Sequence, residues 1–77
     1  MMKIICAIIN DKPTGKEQRR IGVRDEKATS MNHMIYPPTL PWTLEGITGY
    51  VARCYEMNPD KVKSTPAVEQ YFLKKTP

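Results

Sequence analysis

The side chains able to move protons, attack a carbonyl or hold a metal are few in this chain: one histidine, two cysteines and eight carboxylates among 77 residues. His33 is the only histidine. As a general base it needs a positioned partner, and as a metal ligand it needs cysteine or acidic companions at local spacing; neither flanks it, so a surface or half-buried structural histidine is expected. Asp25-Glu26-Lys27 has the residue types of a metal-dependent nuclease site. Consecutive residues alternate sides of the backbone, whereas such sites draw their acids from different strands, so this run reads as a solvated charge cluster. Gly15-Lys16 resembles the end of a phosphate-cradling loop, but the upstream glycine is missing. Glu17 stands where a hydroxyl would hold magnesium, and its charge would repel phosphate. Cys6 and Cys54, 48 positions apart, are too few for a disulfide framework and lack companions for zinc; they read as reduced core thiols. No catalytic residue, metal site, cofactor or small-molecule substrate is assigned.

A second set of residues can bind without reacting. Lys and Arg outnumber Asp and Glu by twelve to eight, a net charge of +4. The excess is uneven: residues 1–30 carry Lys3, Lys12, Lys16, Arg19, Arg20, Arg24 and Lys27 against four acids, a net +3. A basic first half favours a polyanionic or acidic partner; the plainer reading is a solubilising surface, since acids are interspersed. Gly46-Ile47-Thr48-Gly49 has the form of a nucleotide-clamping Gly-x-x-Gly loop. Such a loop joins two helices, however, and here a proline-rich stretch precedes it and the middle residues carry no charge. A helix start with close packing is expected instead. Val51-Ala52, a turn over 56–58 and Val62 reproduce part of the apolar spacing of a helix-turn-helix, with Val62 anchoring the second helix. Glu56 replaces the favoured turn glycine and Pro66 cuts the second helix short. The motif is degenerate, and its Lys61 and Lys63 suit phosphate contact rather than base reading.

The elements that must position these residues follow from periodicity. The stretch 3–9 is β-branched on both alternating faces, as a well-covered strand is. Turn formers fill 10–16, with Pro13 fixing φ and Gly15 able to take positive φ. In 18–24, alternation puts Arg19, Ile21 and Val23 on one face and Gln18, Arg20, Gly22 and Arg24 on the other, giving a hairpin with a greasy inner side and a basic outer side. Residues 33–36 leave open whether a short third strand joins the hairpin. Pro37-Pro38-Thr39-Leu40-Pro41 can be neither helix nor central strand. Thr43 as cap, Glu45 in the first turn and Trp42 stapled against Ile47 then start a helix whose inner residues are Leu44, Ile47, Val51, Cys54 and Tyr55. Asn58-Pro59 ends it, 60–64 is a turn, and Thr65-Pro66 opens a last helix with Val68, Tyr71, Phe72 and the stem of Lys75 inward.

Length confines the chain to one small α+β domain, residues 1–77, with a β region over 1–36, a Pro-rich connector over 37–42 and a helical region over 43–77. The expected architecture is an antiparallel hairpin or three-stranded sheet followed by two C-terminal helices packed on one face, covering Ile5, Ile9, Ile21 and Val23. The longest apolar run, 4–9, falls short of the about 20 residues of a membrane span and of the about 7–15 of a secretory core, so a cytoplasmic protein with no membrane partner is expected. The function expected is that of a small non-catalytic interaction protein. It would bind and occlude or modulate a larger protein or ribonucleoprotein with an acidic surface, as small inhibitors and adaptors do, including those carried by mobile genetic elements. The partner-binding residues would be Lys12, Lys16, Arg20, Arg24 and Lys27. The alternative is a nucleic-acid-binding regulator using the basic ribbon and the degenerate helix-turn-helix, through Arg20, Arg24, Lys61 and Lys63.

Overall fold

A computed structural model describes residues 2–12 and 14–75. The expectations for Pro13 and for the Lys75 side chain fall outside the described residues. Strand β1 (Lys3–Asn10) runs antiparallel to β2 (Arg20–Asp25), which pairs antiparallel with β3 (Asn32–Ile35). Helix α1 (Leu44–Cys54) follows, then a single 3-10 turn (Pro59–Lys61), strand β4 (Val62–Ser64) and helix α2 (Pro66–Lys75). The sheet is four-stranded, in the order β3-β2-β1-β4.

The small α+β class stands, the expected hairpin and two helices are present, and the open question of a third strand is answered by β3, which begins at Asn32 and stops before Tyr36. The sheet itself corrects the expectation. Residues 62–64 form β4, parallel to β1 with Lys3, Ile4 and Ile5 in register with Val62, Lys63 and Ser64. The C-terminal region is therefore not wholly helical, and the sheet is mixed rather than antiparallel. Local chemistry explains the interruption. Asn58 accepts the Asp60 amide at 2.9 Å and Pro59 sets one tight turn. Val62 is then buried and Lys63 exposed, a two-residue period that cannot continue a helix. The same strand removes the helix-turn-helix, since Val62 and Lys63 lie on an extended chain where a recognition helix would need them helical.

Two bulges in β1 correct the predicted core. The register with β2 slips between Ile5 and Ala7 and again between Ile8 and Asn10. Each extra residue flips the alternation, so Ile5 and Ile8, three apart, both face the helices. Ile9, expected beneath the helices, is 38% exposed. The buried core is Ile5, Ile21, Val23, Tyr36, Ile47, Val51, Ala52, Val62 and Val68, with Ile8, Met34, Leu40, Trp42, Leu44, Tyr50, Tyr55, Met57 and Phe72 packed against it. Cys54, expected inside, is exposed. The buried residues of α1 are Ile47, Val51 and Ala52, and Cys54 stands beside the stripe they form.

The N-terminus of α1 forms as its residues dictate. Thr43 Oγ1 accepts the Gly46 amide at 3.0 Å, and Glu45 sits in the first turn. Gly46 and Gly49 both lie inside this helix, which leaves no Gly-x-x-Gly loop. At the other end Glu56 takes φ 52 and Met57 N–H returns to the Ala52 carbonyl at 2.9 Å. That left-handed closure ends α1 before Pro59 is reached.

Aromatic side chains lock the connector over the end of the sheet. Trp42 packs at 5.5 Å from Tyr36, 5.3 Å from Phe72 and 6.2 Å from Tyr71, and the Arg19 guanidinium lies 4.8 Å from its ring centre. Trp42 Nε1 donates to Tyr71 Oη at 3.0 Å, and that hydroxyl donates to Asp11 Oδ2 at 2.9 Å. Arg19 Nε donates to the Asp11 carbonyl at 3.2 Å. One polar chain thus joins the end of β1, the start of β2, the connector and α2. Arg19 lies on the side that alternation assigned to it.

Burial raises the phenols of Tyr71 and Tyr36 above the ordinary tyrosine value. The neutral form is thus the one favoured by folding. Their contribution is fully present below the unfolded value of about 10 and is lost as pH rises through the raised folded values. Stability to urea should therefore hold level between about pH 7 and 9 and fall above about pH 10. Tyr71→Phe should be less stable at neutral pH and show a shallower alkaline decline. An equally steep decline in that variant would contradict the assignment.

Candidate functional site

Both helices cover the sheet face that carries Ile5, Ile21, Val23 and Val62, which leaves the opposite face open. Register fixes what that open face displays, because paired residues point to the same side. Three rows cross it: Ile35, Arg20 and Asn10; His33, Gly22 and Ala7; and Arg24, Ile4 and Lys63. Arg20 and Arg24 thus stand on one strand about 13 Å apart, with Gly22 between them.

The gap above Gly22 is filled from both sides. A Cβ at that position would lie 2.4 Å from Met31 Sδ and 3.2 Å from Ala7 Cβ. Cys6 Sγ, at the first bulge, lies 3.6 Å from the Gly22 carbonyl and 3.6 Å from Met31 Sδ. The centre of the open face is therefore apolar and sulfur-rich. Met31 is 40% and Ile35 46% exposed, and Ile9 lies at the second bulge. Cations frame this centre.

The predicted binding residues separate into two groups. Arg20 is exposed and Arg24 half-buried on the face itself; Arg24 Nη1 is steadied by the carbonyls of Asp25 at 3.1 Å and Glu26 at 2.8 Å. Lys12 and Lys16 are exposed in the loop joining β1 to β2, and Lys27 in the turn after β2, at opposite ends of the hairpin. These five do not make one cluster. Lys61 lies in the 3-10 turn, whereas β4 carries Lys63 into the row of Arg24. One lysine assigned by sequence only to a nucleic-acid surface therefore shares a face with both arginines. Sequence reasoning missed this because it read 60–64 as a turn. The signal was the apolar, charged, polar alternation of Val62-Lys63-Ser64 between two prolines. Met31 and Cys6 were also missed as parts of the face.

His33 is exposed on β3, in register with Gly22. A shallow hollow of about 310 Å³ lies elsewhere, lined by Gly15, Lys16, Glu17, Gln18, Arg19, Tyr36 and Pro38. Glu17, its only carboxylate, accepts from Thr14 Oγ1 at 2.8 Å and from the Thr14 amide at 3.2 Å, and those bonds hold it below the ordinary glutamate range. This carboxylate staples its own turn. No helix among the described residues is long and apolar enough to cross a membrane. Comparison of the chain with protein-family models, with curated proteins and with solved structures finds no match.

Proposed function

We propose that this chain is a small non-catalytic interaction protein that docks its open sheet face on an acidic surface of a larger protein and so occludes or modulates it. One observation carries the reading: Arg20, Arg24 and Lys63 stand on the same uncovered face as the exposed Met31 and Ile35. Protein interfaces combine an apolar, water-excluding centre with arginine and methionine contacts and a polar rim. Guanidinium groups pair bidentately with carboxylates, which sets the sign of the partner. A nucleic-acid surface would place stacking aromatics or an unbroken run of cations in that position. Here the centre is aliphatic and sulfur-bearing, which favours protein.

The test is capture from a lysate of the cell that makes the protein, with nuclease treatment in parallel, comparing the wild type with Arg20→Glu/Arg24→Glu. Each reversal turns a charge-assisted contact into a repulsive one, so the double variant should bind at least about 100-fold more weakly. Its melting temperature should fall by less than about 5 °C, because neither side chain is buried in the core. A partner that survives nuclease and is lost with the double variant supports the reading. Undiminished capture by the folded variant, or a partner that nuclease removes, refutes it.

A further inference from the structure

The two edges of the sheet are built differently. Strand β4 has three residues, its middle one the exposed Lys63, and the prolines at 59 and 66 bracket it. Shortness, a lysine and nearby prolines are the devices that keep an edge from pairing. Strand β3, Asn32-His33-Met34-Ile35, contains no lysine, arginine or proline, and Asn32, His33 and Ile35 are exposed.

Register identifies which backbone groups this edge offers. Tyr36 N–H donates to the Arg19 carbonyl at 2.8 Å, so Tyr36 and Arg19 form a hydrogen-bonded pair. The ladder from Arg20–Ile35 to Val23–Asn32 has no slip. Hydrogen-bonded pairs therefore recur at Met34–Ile21 and Asn32–Val23, and the N–H and C=O groups of His33 and Ile35 point away from β2. These are the groups that a further strand would engage. The Ile35 side chain, 46% exposed, rises beside them on the open face. Arg20, in register with Ile35, stands one strand further in.

We propose that β3 takes an extended segment of the partner as a fifth strand, with alternating acidic and apolar residues on the side facing Arg20. This rests on the open-face reading above and specifies how the partner engages that face. An apolar residue of the segment lies against Ile35. An acidic neighbour on the same side, two residues along, reaches the Arg20 guanidinium across two strand spacings and that offset, about 12 Å in all, which glutamate and arginine side chains together bridge. Charge selects this occupant over a second copy of the chain. A copy seated edge to edge would bring two molecules of net charge +4 together and set both Arg20 groups over one interface.

The test selects displayed random ten-residue peptides against the immobilised full chain and measures the enriched sequences, as synthetic peptides, by fluorescence anisotropy. The enriched sequences should carry acidic and apolar residues in turn at every second position, the spacing that places them on one face of a strand. Methylating the peptide's alternate backbone nitrogens in one phase should weaken binding at least tenfold, and in the other phase should leave it intact. His33→Pro should likewise weaken binding tenfold or more while preserving the circular dichroism spectrum, because the lost N–H faces outward and an edge strand tolerates proline there. If that variant unfolds, the methylation phases decide alone. Acidic peptides that bind regardless of methylation phase yet are lost with Arg20→Glu overturn strand addition and leave the open-face reading standing. Enrichment of basic or uncharged peptides, or no enrichment, overturns both. Dimerisation of the free chain at high concentration that His33→Pro abolishes identifies the occupant as a second copy and also overturns the proposal.

Discussion

Trp42→Ala should lower the melting temperature by about 12–24 °C, a large loss for a half-buried side chain. Replacing a large buried aromatic with alanine costs about 3–5 kcal/mol; Trp42 is half-buried, which places it near the lower end. Its contacts make the loss expensive in a specific way. The indole is the body against which Tyr71 and Phe72 pack edgewise and Tyr36 packs at a tilt, the seat of the Arg19 guanidinium and the donor to Tyr71 Oη. Removing it separates α2 from the connector and leaves Arg19 without the ring face that shields it. A chain of this length is stable by only about 4–10 kcal/mol, so about 3 kcal/mol is a large share. Thermal melts followed by circular dichroism test this directly, since the variant lacks the only tryptophan. Trp42→Phe separates packing from hydrogen bonding. It should recover all but about 1 kcal/mol, the usual net worth of one such bond. A shift under about 5 °C for Trp42→Ala would show that the cluster covers the sheet end without holding it.

The same cluster shows where sequence reasoning succeeds and where it stops. Strand β2 was legible because Ile21 and Val23 alternate with Arg20, Gly22 and Arg24, and a two-residue period allows one assignment of faces. The start of α1 was legible because Thr43 and Glu45 act within its first turn. What failed depends on distant partners. Strand β4 is three residues long, so its alternation is a faint signal beside the proline and turn residues around it, and it exists because Val62, Lys63 and Ser64 find Lys3, Ile4 and Ile5 about sixty positions earlier. Ile9 was misplaced because a bulge is a property of the strand pair, invisible in either strand alone. The open face was half legible. Its arginines follow from alternation, whereas Lys63 and Met31 reach it only through pairing and loop folding. Lys12, Lys16 and Lys27 were grouped with the arginines by charge, and the hairpin's length separates them.

Two glycines three residues apart on α1 should respond to alanine with opposite signs. A Cβ on Gly46 would lie 2.6 Å from the Pro41 carbonyl oxygen, 2.6 Å from Tyr36 Oη and 3.1 Å from Thr43 Oγ1. Tyr36 Oη donates to that same carbonyl at 2.5 Å. The obstacle is main chain and the hydroxyl of a buried ring, which cannot swing aside as a flexible tip would. Gly46→Ala must lift α1 off the connector or break the Tyr36–Pro41 bond. Overpacking costs about 1–3 kcal/mol and the lost hydrogen bond about 1 more, against about 1 kcal/mol regained in helix propensity. A net loss of about 2 kcal/mol, or about 8–16 °C, is expected. Around Gly49 a Cβ would meet nothing within 4 Å. Gly49→Ala therefore keeps only the propensity term and should gain about 1 kcal/mol, or about 4–8 °C. Tyr36→Phe provides the internal control. It deletes the hydroxyl that the new methyl would strike, so Gly46→Ala should cost less in that background than alone, and the double-mutant cycle should return a coupling of about 0.5–1 kcal/mol. Additive costs would mean that the Pro41 carbonyl alone forbids the methyl. Equal responses at positions 46 and 49 would mean that α1 does not press against the connector, and the aromatic lock would then lose the contact that aligns it with the sheet.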